Sequence, residues 1–143
     1  LSPERFGMQT AEIVEVFERL VATGDVDLID MSLWDVRRVT DQPGFADRPL
    51  LDVFAALPRG DVRLGVAGKI HTPADVQMVL DAGVDVPVLG RVAILHHDYP
   101  RRLQADRAFA PRHAPVPRDV LAAEGVSPSF VDYLAGTFRF VAD

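Results

Sequence analysis

The chain has 143 residues, 48% of them hydrophobic and 25% charged, with no cysteine and a formal net charge of -6. That length suits one globular domain with a sizeable core and leaves little for a second. The acidic balance repels duplex nucleic acid and anionic membrane surfaces, and the lack of cysteine removes disulfides, thiolate zinc sites and cysteine nucleophiles. No apolar run reaches the roughly 18 residues of a spanning helix and no basic-then-apolar leader opens the chain, so the expectation is a cytoplasmic protein without nucleic-acid or membrane partners.

The first expected element is a helix. Thr10 is placed to cap it, Ile13, Val16, Phe17, Leu20 and Val21 share one face, and Gly24 ends it. Val26 to Met31 is a short apolar run ending at Ser32, the pattern of a strand buried on both faces. A polar loop from Leu33 to Asp47 leads to an apolar helix over Leu50 to Leu57, stopped by Pro58 and Gly60. Val62 to Ala67 reads as the second strand. Thr72 as cap, Pro73 in the first turn and Asp75 three residues after the cap mark a helix start, with Val76, Val79 and Leu80 as its buried face and Gly83 as its stop. Val84 to Leu89 is the third strand. Beyond Arg91, a short helix over Val92 to Leu95 gives way to a Pro- and Arg-rich stretch, Pro100 to Arg118, expected to form an extended surface arm. Two short helices, Asp119 to Glu124 and Ser127 to about Leu134, close the chain.

Alternating strands and helices with short connections predict an α/β fold with parallel strands. Two segments, Gly65-Val66-Ala67-Gly68-Lys69-Ile70 and Leu89-Gly90-Arg91, each close a strand and set a cation beside a glycine. Lys69 is the one lysine among 15 basic residues. Glycine lets backbone N–H groups approach an anion, arginine adds a forked contact and lysine a point charge, as at a phosphate site on consecutive βα loops. The same glycines also suit plain tight turns, and the same cations suit exposed ion pairs. A nucleotide P-loop is excluded, because Gly65 and Gly68 are two residues apart rather than four and Ile70, not a hydroxyl residue, follows the lysine. His96 and His97 are adjacent and lack a third ligand at a recognisable spacing, so no metal site is expected, and no histidine is assigned a catalytic role.

The run Leu64-Gly65-Val66-Ala67-Gly68-Lys69-Ile70-His71-Thr72-Pro73-Ala74-Asp75, with Ala82-Gly83-Val84-Asp85 and Leu89-Gly90-Arg91, resembles the C-terminal half of the NADH:flavin oxidoreductases, the Old Yellow Enzyme family. Leu1-Ser2-Pro3 resembles the end of that family's fifth barrel strand, and Val26 to Ser32 its sixth. Leu121 to Gly125, Phe130-Val131 and Tyr133-Leu134 look like the tail of some bacterial members, so the resemblance spans nearly the whole chain.

The resemblance implies the C-terminal part, about half, of a (β/α)8 TIM barrel, with residues 1–99 as a half-barrel and 100–143 as an arm with short helices. It implies an FMN enzyme that moves hydride from NAD(P)H through the flavin to an activated alkene or similar small acceptor. Ala67, Gly68 and Lys69 would hold the FMN phosphate from one loop, and Gly90 and Arg91 from the next. Met31, Ser32 and Trp34 would lie near flavin or substrate, although a lone tryptophan in such a loop more often serves as a packing anchor. The family's oxygen-polarising His and Asn pair, or two His, and its tyrosine belong to the barrel's first half, so no catalytic residue is expected here and the chain alone is expected to be inert. The partner is then an N-terminal half-barrel or a second copy. Two alternatives stay open, a phosphate-binding barrel acting on a sugar phosphate and a flavin-free association domain.

Overall fold

A computed structural model describes residues 7–142. The Leu1-Ser2-Pro3 segment read as a strand end lies outside the described residues. Two compact units make up the chain: the described part of Leu1–Gly68 with Met78–Val88, and Lys69–Gln77 with the described part of Leu89–Asp143. Each is taken by itself.

The first unit opens with helix α1, Thr10–Thr23. Its end follows expectation, with Gly24 at a φ of 72° and its N–H on the Val21 carbonyl. Its start is displaced by one residue. Gln9 is the cap, its N–H donating to the Glu12 carboxylate at 2.6 Å, while Thr10 is buried and donates its N–H to the Gln42 side chain. The adjacent Gln9 therefore does the capping expected of the threonine, and a distant glutamine, which no local pattern announces, takes the Thr10 N–H. Phe17 packs inward, but Val16 and Leu20 are exposed, so the buried stripe is narrower than the apolar one.

Strand β1, Leu28–Ser32, is followed by two-residue strands β2, Val39–Thr40, and β3, Arg48–Pro49, which pair antiparallel inside the segment expected to be an irregular loop. Two residues are too few to show a period. Helix α2, Leu50–Ala55, buries Leu51, Val53 and Phe54. Strand β4, Arg63–Ala67, helix α3, Pro73–Asp81, whose residues divide between the two units, and strand β5, Val86–Val88, follow in the expected order. At the start of α3 the Thr72 hydroxyl accepts from the Asp75 N–H at 3.2 Å while the Asp75 carboxylate accepts from the Thr72 N–H at 2.8 Å, the reciprocal cap the sequence announces.

β1, β4 and β5 form a parallel sheet in the order β1-β4-β5, with Asp30, Gly65 and Val86 in one row and Ser32, Ala67 and Val88 in another. The protein is thus mixed α/β, with a three-stranded parallel sheet and several helices. Burial of β1 on both faces is not observed. Ile29 is buried, whereas Leu28 is 48% exposed and Asp30 and Ser32 face solvent, because the row alternates and β1 is an edge strand. Val86 on β5, expected to be buried, is exposed on the same face.

The second unit contains helices α4, Arg91–Leu95, α5, Tyr99–Ala105, α6, Arg118–Ala123, and α7, Pro128–Phe138. The extended arm expected from Pro100 onward is corrected by α5. Pro100 occupies the first turn of that helix, where a missing N–H costs nothing, so it starts a helix instead of breaking one. Leu95, Val116, Leu121, Val131, Leu134 and Phe140 form the core of this unit. Ser127 accepts from the Phe130 N–H and starts α7 where expected, although the helix runs on to Phe138.

An ion network ties the irregular stretch after α5 to this core. The side chain of Glu124, 6% exposed, accepts from the Arg112 guanidinium at 2.6 Å and from both the backbone N–H and the ring of His97, at 3.0 and 2.7 Å. Burial favours the protonated acid, but these bonds from Arg112 and His97 outweigh it and draw the carboxyl from 4.5 to about 2. A depressed acid contributes stability that is complete above its unfolded pKa and fades as pH falls toward the folded one. Urea unfolding should therefore show a loss of about 2 kcal/mol between pH 5 and pH 2.5 that Glu124→Gln does not share, allowing for the partly exposed Arg112 and His97. Equal acid sensitivity in the two proteins would place the lability elsewhere.

Candidate functional site

In the first unit the candidate residues sit where β1 and β4 end. Leu33, Trp34 and Asp35 make a three-residue turn closed by the Asp35 N–H on the Leu33 carbonyl at 2.6 Å, and Trp34 adopts a φ of 59°. Turns of this kind with positive φ are rare and strained, the more so for a bulky residue. The strain is held by bonds to the end of β4: the Leu33 N–H donates to the Ala67 carbonyl at 2.8 Å and the Val36 N–H to the Gly68 carbonyl at 3.1 Å. Asp35 braces the next residues, its carboxylate accepting from the Arg37 N–H and its carbonyl from the Arg38 N–H, each at 3.0 Å.

Trp34 is 76% exposed, so the expectation of a packing anchor fails. Leu33 and Val36 are the buried anchors, at 6% and 1%, and the tryptophan between them is turned outward. Met31, Ser32 and Trp34 line a single cleft of about 400 Å3 together with α1 residues and Arg38, Thr40, Asp41 and Gln42. The structure therefore brings the three expected substrate-side residues together and adds a polar wall that the sequence did not reveal.

Gly68 has a structural reason of its own. Its φ is 155°, and a Cβ there would lie 3.1 Å from the backbone nitrogens of Asp35 and Val36. The absent side chain makes room for the Trp34 turn. Gly65 is likewise tight, 3.2 Å from an Asp30 carboxylate oxygen, but nothing lies within 4 Å of a Cβ on Gly90. Packing explains the glycine at 68 and leaves the glycine at 90 unexplained.

In the second unit Lys69 is exposed with a φ of 51°, Gly90 precedes α4, and Arg91 is the first residue of that helix. The Arg91 guanidinium lies over the Phe138 ring, 5.8 Å from its centroid, and Phe138 continues edge-on to Tyr133, which stacks on Phe130. A contact with a ring takes up no hydrogen-bond acceptor, so it does not occupy the guanidinium N–H groups that a forked contact to an oxyanion needs. Phe138 is the residue that sequence reasoning missed; it lies 47 positions from Arg91, and no spacing rule links them.

The histidines form a separate group. His71 stacks on His113 at 4.2 Å, and burial, followed by the neighbouring His113, holds its pKa below the ordinary value. His96 accepts the Arg112 N–H at its Nε2, 2.9 Å away, and burial followed by the Arg112 and Arg102 charges keeps it neutral-favouring. His97, Asp98 and Glu124 bring potential ligand atoms within 4.8 Å of one another, a third partner arriving from 27 residues away. Their oxygens already accept from Arg112, His97 and Arg102, which makes this an ion-pair network.

The two glycines are separable by substitution. Gly68→Ala should lower stability by about 1–3 kcal/mol, through the strained φ and the clash with the Asp35–Val36 backbone, as read from urea denaturation. Gly90→Ala meets no neighbouring atom and should lower the unfolding free energy by less than Gly68→Ala does. A Gly68→Ala variant of unchanged stability would remove the packing explanation.

Compared with known proteins, the chain matches no family model, no curated protein and no solved structure.

Proposed function

We propose that this chain supplies the phosphate-holding part of an FMN-dependent, NAD(P)H-consuming oxidoreductase barrel related to the Old Yellow Enzyme family, whose acceptor is an activated alkene or similar small molecule. One observation carries the proposal. β4 and β5 are hydrogen-bonded parallel neighbours with Ala67 opposite Val88, and each runs straight on into a segment with glycine and a cation, Gly68-Lys69 and Leu89-Gly90-Arg91. In α/β sheets the carboxyl ends of parallel strands are where phosphates bind. Gly90 adds support, since open space beside it suits an approaching anion. Within this proposal Ala67, Gly68, Lys69, Gly90 and Arg91 hold the phosphate, and Met31, Ser32 and Trp34 face flavin or acceptor. The flavin, when bound, supplies the hydride relay. Arg91 offers forked donors to the phosphate, Phe138 holds that guanidinium in place, and the residues that polarise the acceptor come from outside the chain.

Removal of an arginine–phosphate contact costs about 1.5–3 kcal/mol, or roughly 10- to 150-fold in affinity. Arg91→Ala should weaken FMN binding to the intact protein by that factor while leaving riboflavin, which lacks the phosphate, unaffected. Phe138→Leu should give a smaller loss of the same selectivity, about threefold. Equal losses for FMN and riboflavin, or none, would overturn the assignment of Arg91.

The open sheet face favours a second reading, in which the chain is chiefly an association domain. Parallel sheets are ordinarily covered on both faces, yet Leu28 and Val86 are exposed on theirs. Sedimentation at micromolar concentration should then show a dimer or heterocomplex larger than the 15.7 kDa chain, and Leu28→Asp should shift it toward the monomer. A monodisperse parent monomer would exclude this reading.

A further inference from the structure

The cleft beside Trp34 has features that the phosphate site does not require. Its size, about 400 Å3, lies within the range of small-molecule pockets. Trp34 presents most of its indole to solvent from a strained turn, and the bonds from β4 fix the backbone on both sides of it. Strain of this kind persists only where surrounding structure over-determines it, and it concentrates at ligand clamps. Two flexible thioethers, Met8 and Met31, border the same space, and thioethers make favourable contacts with aromatic rings. The same cleft is lined by Arg38, whose backbone is fixed by the Asp35 carbonyl and by the Leu50 N–H, and by Thr40, Asp41 and Gln42.

From this juxtaposition we infer that the cleft binds a flat aromatic monocarboxylate, its ring stacked on Trp34 and its carboxylate in the fork of Arg38. An indole face selects planarity, because stacking needs a flat partner. Arg38 selects an oxyanion with two coplanar oxygens. Asp41, which also lines the cleft, disfavours ligands of higher negative charge. Met31 and Trp34 are shared with the flavin proposal, but the inference is argued from the lining of the cleft and its test needs no flavin.

The sequence contains a single tryptophan, so Trp34 is its own reporter. Titration of the flavin-free protein with 2-naphthoate should quench Trp34 emission saturably. Cyclohexanecarboxylate, of equal charge but not flat, and 2-naphthamide, flat but uncharged, should each bind at least tenfold more weakly by calorimetry. Arg38→Gln should weaken naphthoate about tenfold and leave naphthamide unchanged. Trp34→Gly guards against a trivial folding defect: glycine accepts positive φ, so this variant should unfold at the same urea concentration as the parent or higher, yet show no naphthoate binding by calorimetry. Non-saturable quenching, equal affinity for the three ligands, or a Trp34→Gly variant that loses stability would each overturn the assignment, the last by making Trp34 a packing residue after all.

Discussion

The carbonyl groups of Ala67 and Gly68, where β4 ends, govern the first unit. At the carboxyl end of a parallel strand such groups usually meet solvent or a following helix. Here they accept the N–H groups of Leu33 and Val36. Those two bonds hold the chain after β1 against the end of β4, and several features go with them. Residue 68 has no room for a side chain, residue 34 adopts a left-handed backbone, and the indole is exposed. A buried polar group left unpaired costs more than a made bond gains, so the arrangement is enforced by the penalty for breaking it.

The second unit is organised by charge as much as by apolar packing. One buried cluster in it has six residues, and the irregular stretch from Asp106 to Pro117 is held through Arg112, which also donates to the carbonyl of Leu95 in that cluster at 2.7 Å. Glu124 sits at the C-cap of α6, where a carboxylate meets the unfavourable end of the helix, and the Arg112 guanidinium on one oxygen and the His97 donors on the other compensate. His96 remains a neutral acceptor for the Arg112 N–H, with its Nδ1 buried and without a partner among the described residues. A proton on Nε2 would remove that acceptor and set a third positive charge beside Arg112 and Arg102.

Local chemistry was readable in the sequence wherever it was self-contained. The Thr72–Asp75 cap, the Gly24 stop and the Ser127-Pro128 start each need only three or four neighbouring residues, and all three stand where the pattern puts them. The order of the three parallel strands followed from apolar runs separated by a helix. What escaped was set by distance or by brevity. Gln42 reaches Thr10 across 32 residues, β2 and β3 have two residues each, and the glycine at 68 answers to the Asp35–Val36 backbone rather than to its own neighbours. Trp34 failed for a different reason: the general tendency of tryptophan to bury was overridden by a turn whose hydrogen bonds lie in another strand. The candidate phosphate residues were legible as a pattern of glycine and cation, but the pattern could not separate Gly68, which packing demands, from Gly90, which it does not.

Fourteen of the fifteen basic side chains are arginine, which leaves Lys69 as the sole side-chain amine. Guanidinium groups stay protonated and are poor nucleophiles, so acylation or carbamylation at moderate pH has one side chain to find. That amine is exposed and stands two residues beyond β4. Neutralising it would change the formal charge from -6 to -7 at one defined position and nowhere else on the side chains. The side-chain amine chemistry of the sequence is thereby confined to the segment that follows β4.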